Sequence, residues 1–112
     1  MHETTDLRIY ETADGQTPFV EWEKGLDSTA KGAVRARLNR LRIGNFGDCK
    51  PVVGAKIFEL RIDYGPGYRI YFAKQGRKLV ILLCGGNKRG QNRDIKKASE
   101  YWQDYQSRTD ED

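Results

Sequence analysis

The chain has 112 residues, 38% of them hydrophobic, which suffices for one compact core and leaves no material for a second domain. No apolar run approaches the roughly 20 residues that span a bilayer, and the opening MHETTDLRIYE is acidic and polar, unlike a signal peptide, so the expectation is a cytoplasmic protein with no membrane partner. The net charge of +4 is unevenly spread: residues 1–30 carry −5, residues 31–97 carry +13 and residues 98–112 carry −4.

Leu7–Glu11 alternates apolar and polar residues and reads as a first strand, followed by a turn at Ala13–Gln16. Thr17-Pro18 supplies a cap and a first-turn proline for a helix carrying Phe19, Val20 and Trp22 to about Gly25–Asp27. Ser28 or Thr29 caps a second helix to about Arg42, whose positions Ala30, Val34, Leu38 and Leu41 share one face. Lys31, Arg35, Arg37, Arg40 and Arg42 fill its remaining surface, and the two helices read as a helical hairpin. Residues 43–55, glycine-rich with Pro51, read as a loop.

Three strand-like runs follow, Lys56–Asp63, Tyr68–Lys74 and Lys78–Cys84, the last apolar throughout as in a strand buried on both faces and ended by Gly85-Gly86. A closing helix presents Ile95, Ala98, Trp102 and Tyr105, and Ser107–Asp112 reads as a frayed acidic tail. The element order β-α-α-β-β-β-α predicts an α+β domain over residues 1–112, with its helices packed on one face of a mainly antiparallel four-stranded sheet.

The run ELRIDYGPGYRIYF, residues 59–72, contains its own register. Phe58, Leu60 and Ile62 share a face, as do Tyr68, Ile70 and Phe72. Both sets reach the core only if Leu60 opposes Ile70 and Ile62 opposes Tyr68. Arg61 then opposes Arg69, and Glu59 opposes Tyr71. Like charges directly opposed are unfavourable by a few tenths of a kcal/mol up to about 1. Either Glu59 or Asp63 neutralises the pair, or the two guanidinium forks hold a phosphate, with Tyr71 alongside offering a ring or a hydroxyl.

Cys84-Gly-Gly-Asn-Lys-Arg-Gly-Gln91 joins the last strand to the last helix. Glycines there allow close backbone approach, the helix start offers N–H groups to an anion, and Lys88 and Arg89 add charge. The spacing of a P-loop or of GxGxxG is absent, and a simple turn explains the glycines as well. The basic block of residues 31–97 points to an anionic partner, nucleic acid or an acidic protein, against the plainer reading of a solvated surface. The only histidine is His2, in an end expected to be mobile, which argues against histidine-based or serine-triad chemistry. Cys49 and Cys84 lack metal-ligand spacing and read as free thiols, and no Cys/His cluster could hold zinc.

Lys56–Arg61, Gly65–Phe72, Leu82–Lys88 and Asp94–Ala98 together resemble the RelE/ParE toxin superfamily, nearest its HigB-like addiction-module killer branch. That resemblance implies a RelE/ParE-like fold and the toxin of a type II toxin–antitoxin pair. It also implies a ribosome-dependent mRNA endoribonuclease needing no metal or cofactor, in which the ribose 2′-hydroxyl attacks the adjacent phosphate. By the same resemblance Arg69 holds the scissile phosphate, Arg61 assists from the preceding strand, and Lys88 and Arg89 lie where the general acid is placed. Lys56 or Glu59 is the candidate base, and Tyr71, Lys31, Arg35, Arg93 and Lys97 are candidate RNA contacts. The implied partners are a cognate antitoxin, expected as a helix-turn-helix protein, and the ribosome with its mRNA. Glu59 and Ile95 stand where RelE has a lysine and a tyrosine, which keeps open a ParE-like inhibitor of DNA gyrase that does no chemistry, and a decayed toxin that only binds its antitoxin.

Overall fold

The structure, a computed structural model, describes residues 4–109. His2 and residues 110–112, on which expectations of mobility and fraying fell, lie outside the described residues. The elements are β1 (Asp6–Ile9), α1 (Pro18–Lys24), α2 (Ser28–Arg42), β2 (Cys49–Pro51), β3 (Phe58–Ile62), β4 (Tyr68–Gln75), β5 (Leu79–Asn87) and, after a 3-10 turn at Lys88–Gly90, α3 (Gln91–Thr109). Helix α3 continues through Ser107 to Thr109, where fraying was expected to begin earlier.

The sheet has five strands in the order β1-β5-β4-β3-β2. Strand β1 runs parallel to β5, and every other pair is antiparallel. The fifth strand corrects the four-strand expectation: Cys49–Pro51, inside the glycine-rich stretch, pairs with β3. It is three residues long and ends in proline, so it contains too little alternation to stand out in the sequence and makes a short, blunt edge.

The hairpin register is as its alternation predicts, with Leu60 opposite Ile70, Ile62 opposite Tyr68, Arg61 opposite Arg69 and Glu59 opposite Tyr71. Helix α2 buries Ala30, Val34, Leu38 and Leu41, but its cap is Asp27, whose side chain accepts from the Ala30 N–H at 2.8 Å. Arg37 is no simple surface residue: it reaches across to donate to the Arg61 carbonyl at 2.6 Å, and burial lowers its pKa.

The helices do not share one face. Phe19, Val34, Leu38 and Leu41 of α1 and α2 pack on Leu60, Ile62, Ile70, Phe72, Val80 and Leu82. Ala98, Trp102 and Tyr105 of α3 pack on Tyr71, Ala73, Ile81, Leu83 and Cys84 on the other side. Both faces of β4 and β5 are therefore buried, which explains why LVILLC is apolar without alternation. A bulge opposite Tyr71/Phe72 shifts the β4–β5 register and turns both Leu83 and Cys84 toward α3.

Gly85 and Gly86 do not end β5 but lie within it, opposite Ile70 and Arg69. Their place is set by what presses on each side of the sheet. A Cβ on Gly85 would lie 2.2 Å from the Trp22 ring of α1, and one on Gly86 would lie 1.9 Å from the Asp94 carboxylate of α3. Gly85→Ala and Gly86→Ala are each expected to cost about 1–3 kcal/mol in urea unfolding, through overpacking. Gly32→Ala on α2, where nothing stands within 4 Å, is expected to gain about 0.5–1 kcal/mol. Equal effects at all three positions would contradict this packing.

Candidate functional site

The α3-facing side of the sheet carries the cross-strand row Glu59–Tyr71–Cys84 and, one step toward α3's start, Arg61–Arg69–Gly86. The arginines do not form an open clamp. Glu59 is 1% exposed and Arg69 8% exposed, and Arg69 Nε donates to Glu59 Oε1 at 3.2 Å. The other carboxylate oxygen, Oε2, accepts from Gln91 Nε2 at 2.8 Å, so the first residue of α3 is fastened to β3. Arg61 Nη2 lies 2.9 Å from Asp48 Oδ1 at the solvent edge, and this contact raises the Arg61 pKa. Neutralisation of the opposed pair thus occurs, by Glu59 for Arg69 and by Asp48, not Asp63, for Arg61.

Glu59 is not a free base, since both its oxygens are engaged. Tyr71 cannot receive a nucleobase either: it is fully buried beneath α3, its hydroxyl has no hydrogen-bond partner among the described residues, and burial followed by the Glu59 and Asp94 charges drives its pKa upward.

What stays open lies at the end of β5. Asn87, Lys88, Arg89, Gly90, Gln91, Asn92 and Arg93 line a groove of about 560 Å³. Asn87 folds back so that its side-chain oxygen accepts from the backbone N–H groups of Arg89 and Gly90, at 3.0 and 3.2 Å. These N–H groups are consequently not available to an anion as the sequence suggested, and the capacity for one resides in the side chains. Lys88 and Arg89 are exposed and have no carboxylate partner among the described residues, while Arg93 Nε stands 3.9 Å from Asp94.

The Asp94 carboxylate is not part of this lining but stands behind it, packed against Gly86 and 3.2 Å from where a Cβ on Gly90 would lie. Burial raises its pKa, offset in part by Arg93 and Lys97. Below it the Cys84 thiol is pushed up to about 12 by burial and then by the Asp94 charge.

The structure therefore brings Arg69, Glu59, Lys88, Arg89 and Arg93 to one end of the sheet, with Lys97 on the next turn of α3. It does not bring Lys56 there. Lys56 lies in the bend before β3 and lines a separate cleft with Ser99, Trp102, Gln103 and Gln106. Lys31 and Arg35 lie on α2, across the sheet from α3, and Arg35 is paired with Glu23 at 2.7 Å. Sequence reasoning missed Gln91, Asp48 and Asp94 as parts of this site. Only Asp94, an acidic residue just inside a helix start, had a readable signal.

A family model described as "Phage derived protein Gp49-like (DUF891)" matches residues 21–102, most of the chain and all of this site. The chain belongs to the Gp49-like family. That family consists of toxin–antitoxin toxins, so an antitoxin is an implied partner of this Gp49-like chain. It is also 58% identical over 81 residues to a Haemophilus influenzae protein described as uncharacterized, covering 71% of this chain and 81% of the relative. Among the described residues no helix is long and apolar enough to cross a membrane.

Two expectations follow from the buried pair. Arg69→Ala leaves Glu59 uncompensated and should cost about 3–5 kcal/mol in urea unfolding, whereas the apolar double replacement Glu59→Leu/Arg69→Met should cost less. A milder loss in the single variant would show the pair to be solvated. For Asp94 the folded pKa is raised, so its contribution is full below the unfolded pKa and declines as pH rises through the folded one. From pH 3 to 7 the stability of Asp94→Asn should therefore rise relative to wild type, and parallel curves would count against this.

Proposed function

We propose that this Gp49-like toxin is a metal-independent mRNA endoribonuclease that blocks translation, acting on ribosome-bound mRNA in the cytoplasm until its antitoxin covers the site. The observation that carries this reading is the groove at the β5–α3 junction, where Lys88 and Arg89 stand beside Arg93 without carboxylate partners among the described residues. Unpaired cations at one end of a rigid sheet suit a sugar-phosphate linkage, because charge that develops on the phosphorane can be met without breaking an internal ion pair. Lys88 and Arg89 hold and stabilise the phosphate, and one of them serves as general acid. Asp94, whose carboxylate adjoins Gly90 behind the groove lining and whose pKa burial raises, is less engaged than Glu59 and is the candidate to take the 2′-hydroxyl proton. Arg69 supports the site from below, with Arg61 at its solvent edge. Balance is simple: the 2′-oxygen bonds to phosphorus as the bond to the 5′-oxygen breaks, the base takes one proton and the acid gives one.

Lys88→Ala and Arg89→Ala should relieve growth arrest and leave cellular mRNA intact, with melting temperatures close to wild type because neither side chain is buried or paired. Arg69→Ala is a poor test, since its loss of fold would mimic a loss of activity. Arrest with uncleaved mRNA in the wild-type protein would refute the nuclease reading.

The second reading is an inhibitor of DNA gyrase that does no chemistry. It is favoured by the engagement of both hairpin arginines and Glu59 in internal pairs. It requires a DNA-damage response with intact mRNA, the opposite pattern.

A further inference from the structure

Beside the basic groove the hairpin turn carries an aromatic run that the chemistry above does not use. Phe19 and Trp22 of α1 lie with ring centroids 5.8 Å apart, Trp22 meets Tyr68 edge-on at 6.0 Å, and Tyr68 stacks with Tyr64 at 6.3 Å and 23° between planes. The run thus leads from the buried core, where Phe19 is 1% exposed, to the turn, where Tyr64 is 37% exposed. The turn is firmly held. Tyr64 N–H donates to the Ile62 carbonyl at 2.9 Å, and Gly67 N–H donates to the Tyr64 carbonyl at 3.1 Å. Gly65 and Gly67 take φ values of 57° and 78°, which a glycine allows and a β-carbon resists.

The same turn touches the groove. Lys88 N–H donates to the Gly67 carbonyl at 2.9 Å, and a Cβ on Gly67 would lie 3.7 Å from the Lys88 Cβ. One short segment therefore has Tyr64 and Tyr68 on one flank and the unpaired Lys88 and Arg89 on the other.

Aromatic faces interleaved with cations are what single-stranded nucleic acid needs, since each nucleotide offers a π-face and a phosphate to neighbouring contacts. We propose that Tyr64, backed by Tyr68, is a stacking platform for a base of single-stranded RNA whose adjacent phosphate lies against Lys88 and Arg89. This inference rests on the nuclease reading. Tyr68 occupies one face of the Tyr64 ring, and the base extends the stack on the other. Stacking tolerates any base, so the platform fixes the register of the strand and leaves the choice of sequence to other contacts. It also replaces Tyr71, which is buried, as the aromatic contact.

The test is fluorescence anisotropy of the full chain with an end-labelled single-stranded RNA oligomer carrying 2′-O-methyl groups, which cannot be cleaved by 2′-hydroxyl attack. Tyr64→Ala should weaken binding about tenfold, the effect of one lost stack, and Tyr64→Phe should remain within about twofold of wild type. Lys88→Ala/Arg89→Ala should weaken binding and flatten its salt dependence. If the double variant loses affinity and Tyr64→Ala does not, the platform is refuted and the nuclease reading stands. If the wild-type chain binds no RNA, the platform is refuted, while the nuclease reading on ribosome-bound mRNA is decided by the mRNA-cleavage test of the Lys88 and Arg89 variants. Equal losses in Tyr64→Ala and Tyr64→Phe would replace stacking by a hydroxyl contact and overturn the proposal. So would unchanged RNA affinity in Tyr64→Ala with lost binding to the antitoxin, which would make the run a protein-docking surface.

Discussion

The carboxylate of Glu59 is the point on which the rest of the domain depends. It is buried on β3, and it accepts from Arg69 on β4 and from Gln91 at the start of α3. The β3–β4 hairpin and the distant start of α3 are joined there by two hydrogen bonds to one carboxylate, the first of them also an ion pair. Removing either cation or anion alone leaves a buried charge with no partner, which is why such pairs are hard to lose once built. The contact also sets where α3 begins, and so fixes the position of the 3-10 turn that carries Lys88 and Arg89.

This arrangement divides the basic charge of the chain into two populations. Arg35, Arg61, Arg69 and Arg108 are spent on internal carboxylates at distances from 2.7 to 3.2 Å. Lys88 and Arg89 are not, and they stand where Gly85 and Gly86 allow α1 and α3 to close on the sheet from opposite sides. The net +13 of residues 31–97 is therefore a poor guide to where an anion binds, because a sum does not separate arginines held on carboxylates, such as Arg35, Arg61 and Arg69, from the exposed Lys88 and Arg89. Membership in the Gp49-like family makes the chain a toxin–antitoxin toxin with an antitoxin as its implied partner.

Much of the fold was legible because period and register leave few choices. The alternation of Phe58–Ile62 and Tyr68–Phe72 forced Arg61 opposite Arg69, and the spacing of Ala30, Val34, Leu38 and Leu41 fixed the buried face of α2. What was not legible depended on partners distant in sequence. Nothing in Cys49–Pro51 marks a strand until β3 lies beside it. Nothing in Gln91 announces that it will reach 32 residues back to Glu59. The apolar run of β5 signalled burial on both faces, yet which helix covers which face follows from Trp22 pressing on Gly85 and Asp94 on Gly86. Tyr71 and Arg69 look like surface residues in a hairpin and become interior ones only when α3 closes over them.

The most direct measurement is an amide NMR titration of the full chain with a short 2′-O-methyl RNA oligomer. Shifts confined to Asn87–Arg93 and the Tyr64–Tyr68 turn, with α2 and the Lys56 cleft silent, are the predicted result. Shifts concentrated at Lys31 and Arg35 on α2, or at Lys56, would place the anion elsewhere and contradict the account.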